Sequence, residues 1–379
     1  MDLDTLVPIG QYAPPALPTQ ERFHAILAKL KAMFVARTGT DIIANERLTT
    51  DSLRQLDRDV ITPICSLQIE ALDAASVQWL AKPASPGTIL AIITAPCDQN
   101  DSFTRWANQS DLHRIDPPSS RSAPINWGPL EALPTHKTLV IPQLERWFLR
   151  SAEGLDRVRQ LMTILAQKRR VIVGCNSFAW AYLSKAIRID LIAPGPFTFK
   201  PLDGEALGKW LTERAHDSDA ADFRLVDSDI SLLQDRTSKE AQHFFQTLAG
   251  RSRGIPSTAW HMWQEMLRID EPDAINHGAQ GDHSRQRDDY WVASLEELIL
   301  PGTYPRELLF ALHGLCLHGG LSTAELTAIM PEAPGAAMIP ALRTSQFVQE
   351  HEGILSIRPE AYLAIRSGLQ SSGFPLGAI

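Results

Sequence analysis

Apolar residues follow two rhythms along this chain, and the switch between them divides it. Between Gln20 and Arg37, the positions Phe23, Ile26, Leu27, Leu30, Met33 and Phe34 recur at three-and-four spacing, which lines one face of a helix. A second helical stretch runs from about Thr50 to Leu80, and Pro83, Pro86 and Gly87 end it. From Thr88 onward, short and wholly apolar runs alternate with amphipathic ones. They predict strands at 88–93, 137–141, 170–173 and 189–192, with helices after Ser102 and at 153–167 and 178–186. A loop rich in Pro and Ser spans 117–134. Strands apolar on both faces and separated by helices predict a parallel sheet covered on both sides.

Beyond Pro201 the pattern turns helical, with helices at 203–215, 242–249 and 258–267 around an acidic loop. Residues 270–289 carry almost no apolar side chains, the composition of a mobile linker or hairpin tip. Helices at 304–317, 323–330 and 336–349, a strand at 354–357 and a last helix at 359–369 then make three helices and a β-wing. Gly319 and Gly320 stop the first of these helices, and Ser322 with Glu325 forms a capping box for the next. The N-terminal residues 1–20, broken by Pro8, Pro14, Pro15 and Pro18, read as an irregular arm.

Bulk chemistry narrows the function classes. The chain has 379 residues, room for two or three cores, and a net charge of −8. An acidic balance argues against nucleic acid or an anionic membrane as the main partner. Cys65, Cys97, Cys175 and Cys316 lie far apart, which suits reduced thiols in a cytoplasm and neither a zinc site nor a disulfide framework. The acidic, proline-broken start is no signal peptide, and no apolar run reaches the ~18 residues of a bilayer span. His313 and His318 are five apart, pointing about 140° away from each other on a helix, and make no metal pair.

The most informative stretch is 87–106. An apolar strand runs into a short polar loop and then a helix, the layout of a phosphate-binding loop, which reads G-x-x-x-x-G-K-[ST]. Here the frame reads Ala95, Pro96, Cys97, Asp98, Gln99, Asn100, Asp101, Ser102. The final hydroxyl survives, and both glycines and the lysine do not. Asp101 puts a negative charge where phosphate needs a positive one, and unit charges at roughly 4 Å interact by about 4 kcal/mol at an effective dielectric near 20. A plain buried strand and ordinary loop is the alternative.

Taken in order, residues 85–379 resemble a bacterial AAA-type or STAND-like P-loop ATPase followed by a winged-helix domain. The resemblance implies an α/β fold: a parallel-sheet P-loop NTPase-like core, a helical lid and a C-terminal winged helix. The boundaries it implies are 1–84 for the N-terminal arm and helices, 85–200 for the core, 201–269 for the lid, 270–302 for a linker and 303–379 for the winged helix. In such a family the strand ending Leu139, Val140, Ile141 carries a metal-binding Asp and a water-polarising Glu; here Pro142 and Gln143 follow instead. Glu145 is then a remnant general base, or a solvated or arginine-paired acid beside Arg146 and Arg150. Asn176 or Ser177 would orient the attacking water, unless Asn176 caps the helix near Phe178. Arg253, with Arg251 second, matches the lid arginine that reaches the γ-phosphate, and Trp260 and Trp263 are lid-core aromatics.

The resemblance therefore implies a degenerate, regulatory or assembly subunit, a pseudoenzyme with a vestigial phosphate loop at Ala95, Asn100, Asp101 and Ser102. It implies no metal ligand and no cofactor. The alternatives are an active ATPase binding ATP and Mg²⁺ with an unusual loop, its lysine supplied by Lys137 or Lys185, and a winged-helix DNA-binding regulator. The expected partner is a protein, either a related active ATPase or a second copy, receiving Arg146, Arg150 or Arg253 in trans.

Overall fold

The structure, a computed structural model, describes residues 6–18, 66–83, 87–98, 101–134, 136–167, 170–216, 222–226, 228–269, 289–293, 298–300, 305–332 and 335–379. The expected helix at 20–37, the first part of the stretch from Thr50 and residues 270–288 lie outside them. The described chain forms two compact units. One comprises residues up to Ala13, from Ser66 to Lys200 and from Ile299 onward; the other comprises Pro14 to Pro18 and Pro201 to Leu298.

The first unit is built on a mixed, mostly parallel sheet. Its strands are β1 (Leu6–Pro8), β2 (Ile89–Thr94), β3 (His113–Arg114), β4 (Leu139–Ile141), β5 (Val171–Asn176) and β6 (Phe197–Phe199), in the order β1-β6-β2-β5-β4-β3. All pairs are parallel except β1 with β6. Between the strands run α1 (Ser66–Ala81), α2 (Ser102–Gln109), α3 (Gly128–Glu131), α4 (Ala152–Ala166), α5 (Ser177–Ile187) and α6 (Ile189–Ile192). Leu90, Ile92, Val140 and Ile172 share a core with Leu72 of α1 and with Phe103 and Trp106 of α2. The Trp106 indole donates to Asp73 at 2.7 Å, tying the two helices together. The intervening positions Ala91, Ile93, Ile141, Val171 and Val173 are also buried, and α5 packs on β2 and β5. Burial on both faces explains why these strands read as continuous apolar runs.

Two expectations are corrected here. Residues 189–192 form a helical turn, because Arg188 enters the left-handed region (φ 56°) and restarts the helix, burying Ile189 and leaving Leu191 68% exposed. The strand comes after Pro194-Gly195-Pro196, at Phe197–Phe199. The expected irregular arm contains β1, which pairs antiparallel with β6 and closes that sheet edge. In addition, the Pro/Ser-rich loop holds the short helix α3.

The remainder of this unit is α10 (Arg306–His318; α7 to α9 belong to the second unit), β10 (Leu321–Ser322), α11 (Thr323–Ala328), α12 (Met338–Thr344), β11 (Val348–His351), β12 (Ile354–Ile357) and α13 (Tyr362–Ser371). The small sheet has the order β10-β12-β11, all antiparallel. The helix expected through Gln349 stops at Thr344, because Val348–His351 pair with β12. Glu352 and Gly353, both at positive φ (51° and 78°), make the two-residue hairpin between them. The Ser322–Glu325 capping box is present.

The second unit contains α7 (Gly204–His216), β7 (Asp222–Leu225), α8 (Lys239–Arg251), α9 (Pro256–Met266), β8 (Leu267–Ile269) and β9 (Asp289–Val292). Its sheet order is β7-β9-β8. Trp210, Phe223, Phe245, Trp260 and Trp263 form its aromatic core. Strand β7 lies in the expected acidic loop. Strand β9 lies inside 270–302, so part of the segment expected as a linker is built into this sheet. Among the described residues no helix is long and apolar enough to cross a membrane.

Candidate functional site

Parallel strands end at a common edge, and loops leaving that edge meet. Thr94 of β2 lies level with Asn176 of β5, and Ile141 of β4 with Val173. Residues 95–98 with Asp101, residues 142–147 and the first turn of α5 therefore converge at the carboxyl edge of the sheet, where ligands of open α/β sheets bind.

The first loop curls over a helix start. The Asp98 N–H donates to the Ala95 carbonyl at 3.3 Å and the Asp101 N–H to the Asp98 carbonyl at 3.2 Å. Asp101 is left-handed (φ 44°, ψ 54°), a conformation that Asp adopts more readily than most residues. Its Oδ1 accepts from the Thr104 N–H at 3.2 Å and caps α2, while its Oδ2 accepts from Gln143 Nε2 at 3.0 Å. Ser102 is fully buried, and its hydroxyl donates to Asp98 Oδ2 at 2.6 Å. Asp98, Asp101 and Ser102 thus bond one another and their neighbours, and Ala95 contributes its backbone. Asn100 lies outside the described residues. Asp101→Ala removes the cap and the Gln143 bond and leaves a less tolerant residue at positive φ, so it is expected to lose about 2–3 kcal/mol. Asp101→Asn should lose less than about 1 kcal/mol. Urea unfolding of both variants checks this, and equal losses would contradict it.

The second loop begins with Pro142 and Gln143 and has no acid before Glu145. The Pro142 carbonyl packs against Gly174, which has room for it only because it lacks a side chain; an added Cβ would also lie 2.9 Å from the Phe103 ring. Among the described residues, no group of three or more His, Cys, Asp or Glu side chains could hold a metal ion. Glu145 is buried rather than solvated, which corrects the surface reading. Its Oε2 accepts from the Asn176 N–H at 3.1 Å. Burial pushes its carboxyl up to about 7, with the Asp101 charge adding to the rise and its own backbone N–H, the Asn176 N–H and Arg146 opposing it. Arg146 is exposed. Arg150 turns elsewhere: it bonds His313 Nδ1 at 3.1 Å and the Ile329 carbonyl at 3.3 Å, and lies 3.9 Å from the centre of the Phe310 ring. Arg150 is thus engaged within its own chain, against the expectation that it serves a neighbour.

Asn176 is 2% exposed and fully committed. Its Oδ1 accepts from the Ala179 N–H at 2.9 Å, capping α5, and its Nδ2 donates to the Leu317 carbonyl at 2.9 Å. The capping expectation holds, and each polar atom of the side chain has a protein partner. Ser177 is buried, and its hydroxyl has no partner among the described residues. Gly377 packs so closely on Ser177 that an added Cβ would lie 2.7 Å from the serine Cβ.

The C-terminal end of α10 covers this edge. His318 is fully buried, with Nδ1 3.4 Å from the Glu145 carbonyl oxygen. A carbonyl only accepts, so Nδ1 carries the proton and Nε2 is left bare, without a partner among the described residues. Burial, helped by the Arg121 charge, holds this imidazole well below the ordinary histidine range. Arg121 donates to the Gly320 carbonyl at 3.1 Å and lies 3.8 Å from Glu325. His313 accepts from Arg150 and therefore donates through Nε2 to the Pro375 carbonyl at 3.0 Å. Burial and the Arg150 charge lower it to about 4.

Arg253 belongs to the second unit. It is left-handed (φ 58°) in the turn between α8 and α9. The next N–H, of Gly254, returns to the Ala249 carbonyl at 2.8 Å and closes α8. Arg251 sits in the last turn of α8, where a cation suits the helix dipole. The residues gathered at the sheet edge are therefore Asp101, Ser102, Gln143, Glu145 and Asn176. Sequence reasoning missed His318, Arg121 and the Leu317 carbonyl. No local pattern marks them, since each acts through a contact distant in sequence.

Fold and site together define a mixed α/β protein whose mostly parallel sheet ends at a capped polar edge. No family model matches the chain, and no curated protein sequence matches it. Among solved structures it is similar to the Orc1 protein of Aeropyrum pernix in complex with DNA, at 12% identity and a TM-score of 0.29, over 87% of this chain and 94% of that one. It is also similar to the Walker-type ATPase PABY2304 of Pyrococcus abyssi, at 11% identity and a TM-score of 0.28, over 74% and 90%. A third similarity is to a closed-state reconstruction of Hsp104 with ATPγS and FITC casein, at 12% identity and a TM-score of 0.23, over 55% and 45%. At these scores the functional reading rests on the site itself.

Proposed function

We propose that this protein is a catalytically silent P-loop ATPase-like protein that acts through protein contacts, as a regulatory or assembly subunit. The observation that carries the reading is Asp101. It stands where a phosphate-neutralising lysine belongs, and its carboxylate is spent on the Thr104 N–H and on Gln143. Positioning and charge neutralisation are nearly all of phosphoryl-transfer catalysis, so losing the cation and the metal ligand together removes turnover. The burial of Glu145 and Asn176 supports the same reading, because both side chains are bonded to the protein's own backbone.

An active ATPase would need a cation from elsewhere. Lys137 precedes β4 and so lies toward the amino edge of the sheet. Lys185 is in the last turn of α5, about 12 Å along a helix that leads away from the loop. The three helices and small antiparallel sheet of the C-terminal region support the winged-helix reading. A DNA-binding role is less favoured: Arg343, the only Arg or Lys in α12, pairs with Glu350 through bonds of 2.6 and 2.9 Å, and Arg358 pairs with Glu360. The test is an assay of ATP binding and hydrolysis with Mg²⁺ at millimolar concentration. No turnover above background is expected. Saturable hydrolysis that disappears in Glu145→Gln would refute the proposal, and a salt-dependent shift of duplex DNA would favour the DNA-binding reading.

A further inference from the structure

Glu145 sits between the sheet and the C-terminal helices, and both sides hold it. From β5 comes the Asn176 N–H, at 3.1 Å from the carboxylate. From α10 come the His318 imidazole, bonded to the Glu145 carbonyl, and Gly319, where an added Cβ would lie 4.0 Å from Glu145 Cγ. Asn176 reaches across the same junction to the Leu317 carbonyl, and Arg121 to the Gly320 carbonyl. No ion pair to Glu145 forms among the described residues. The charged and titratable groups that act on Glu145 are Asp101 from the first loop, Arg146 from its own turn, Cys175 from β5 and Arg121 from the loop before α3. His318 lies on the α10 side, with His313 and Arg150 behind it. A carboxyl closed in this way is accommodated when neutral and is costly when charged.

We infer that this junction is a proton-operated catch: the C-terminal helices close on the carboxyl edge of the sheet while Glu145 carries a proton, and loosen when it ionises. The inference goes beyond the proposed function and stands whether or not the protein handles nucleotide. The sign follows from linkage. A carboxyl that titrates near 7 when closed and near 4.5 when open contributes stability that is complete below the open value and is lost as pH rises through the closed one. His313 and His318 act oppositely, because both are held neutral when closed and gain protons only on opening as pH falls. Their effect overlaps the same window, so the wild-type profile alone is nearly flat.

The readout is therefore a ratio. Hydrogen exchange of the α10 amides in the full chain gives the opening equilibrium for wild type and for Glu145→Gln. Wild-type opening relative to the variant should rise about tenfold between about pH 6 and about pH 8. A pH-independent ratio would overturn the catch. Should the variant not fold, the wild-type Asn176 amide, which donates to the carboxylate, reports the titration by its NMR shift. A midpoint near 7 supports the catch, and a midpoint near about 4.5 or no titration overturns it.

Discussion

Adding a single methyl group at Gly154 is expected to destabilise this protein by about 3 kcal/mol or more. Gly154 is the third residue of α4. A Cβ there would overlap the Leu149 carbonyl oxygen and lie 3.0 and 3.1 Å from the carbonyl carbon and amide nitrogen of the same residue. All three atoms are backbone, so no side-chain rotation makes room. The Gly154 N–H is also held by the Ser151 hydroxyl at 3.0 Å, which fixes the helix start against that turn. Relief requires moving either the helix or the segment that leads into it from Arg150, whose own side chain is anchored on His313 and Ile329. Urea unfolding of Gly154→Ala measures the loss, and stability within about 0.5 kcal/mol of wild type would show that the turn yields freely.

Asn176 should be comparably intolerant, for a reason that two substitutions separate. Asn176→Ala removes the α5 cap and strands the Leu317 carbonyl and the Ala179 N–H in a buried place, an expected loss of about 2–4 kcal/mol. Asn176→Asp keeps the cap. It replaces the donor to Leu317 by an acceptor and brings a second carboxylate beside Glu145, so it should lose about as much. The aspartate loss should shrink in a Glu145→Gln background, whereas the alanine loss should not. A urea series of both Asn176 variants in the two backgrounds, with wild type and Glu145→Gln as references, checks this pattern. If Asn176→Asp matches wild type, the link to α10 contributes nothing.

Much of the fold can be read from local pattern, and the failures have physical causes. The buried parallel strands announce themselves because both faces are apolar, and Asn176, Gly319 and the Ser322–Glu325 pair announce helix ends by their capping chemistry. The run Ile189–Ile192 misleads because four residues with three apolar side chains fit a strand or a helical turn equally. Strands β1, β7 and β9 escape because strands of three or four residues gain their structure from partners far along the chain. At the site, the absence of the glycines and lysine of a phosphate loop from 95–102 is visible as letters. The burial of Glu145 is not, because it depends on α10 folding back across more than a hundred residues. The same distance hides why Arg150 ignores Glu145: its partners His313 and Ile329 come from the C-terminal region.

The bond between Asn176 and Leu317 spans 141 residues, with the Pro201–Leu298 part of the second unit encoded between its two ends. At ribosomal speeds of about 5–20 residues per second, β5 is made about 7–28 s before the helix that shelters it. During that interval the nascent sheet carries a naked rim, with a carboxylate that water keeps ionised. Assembly of the first unit therefore waits until α10 has been made, and only then is Glu145 buried.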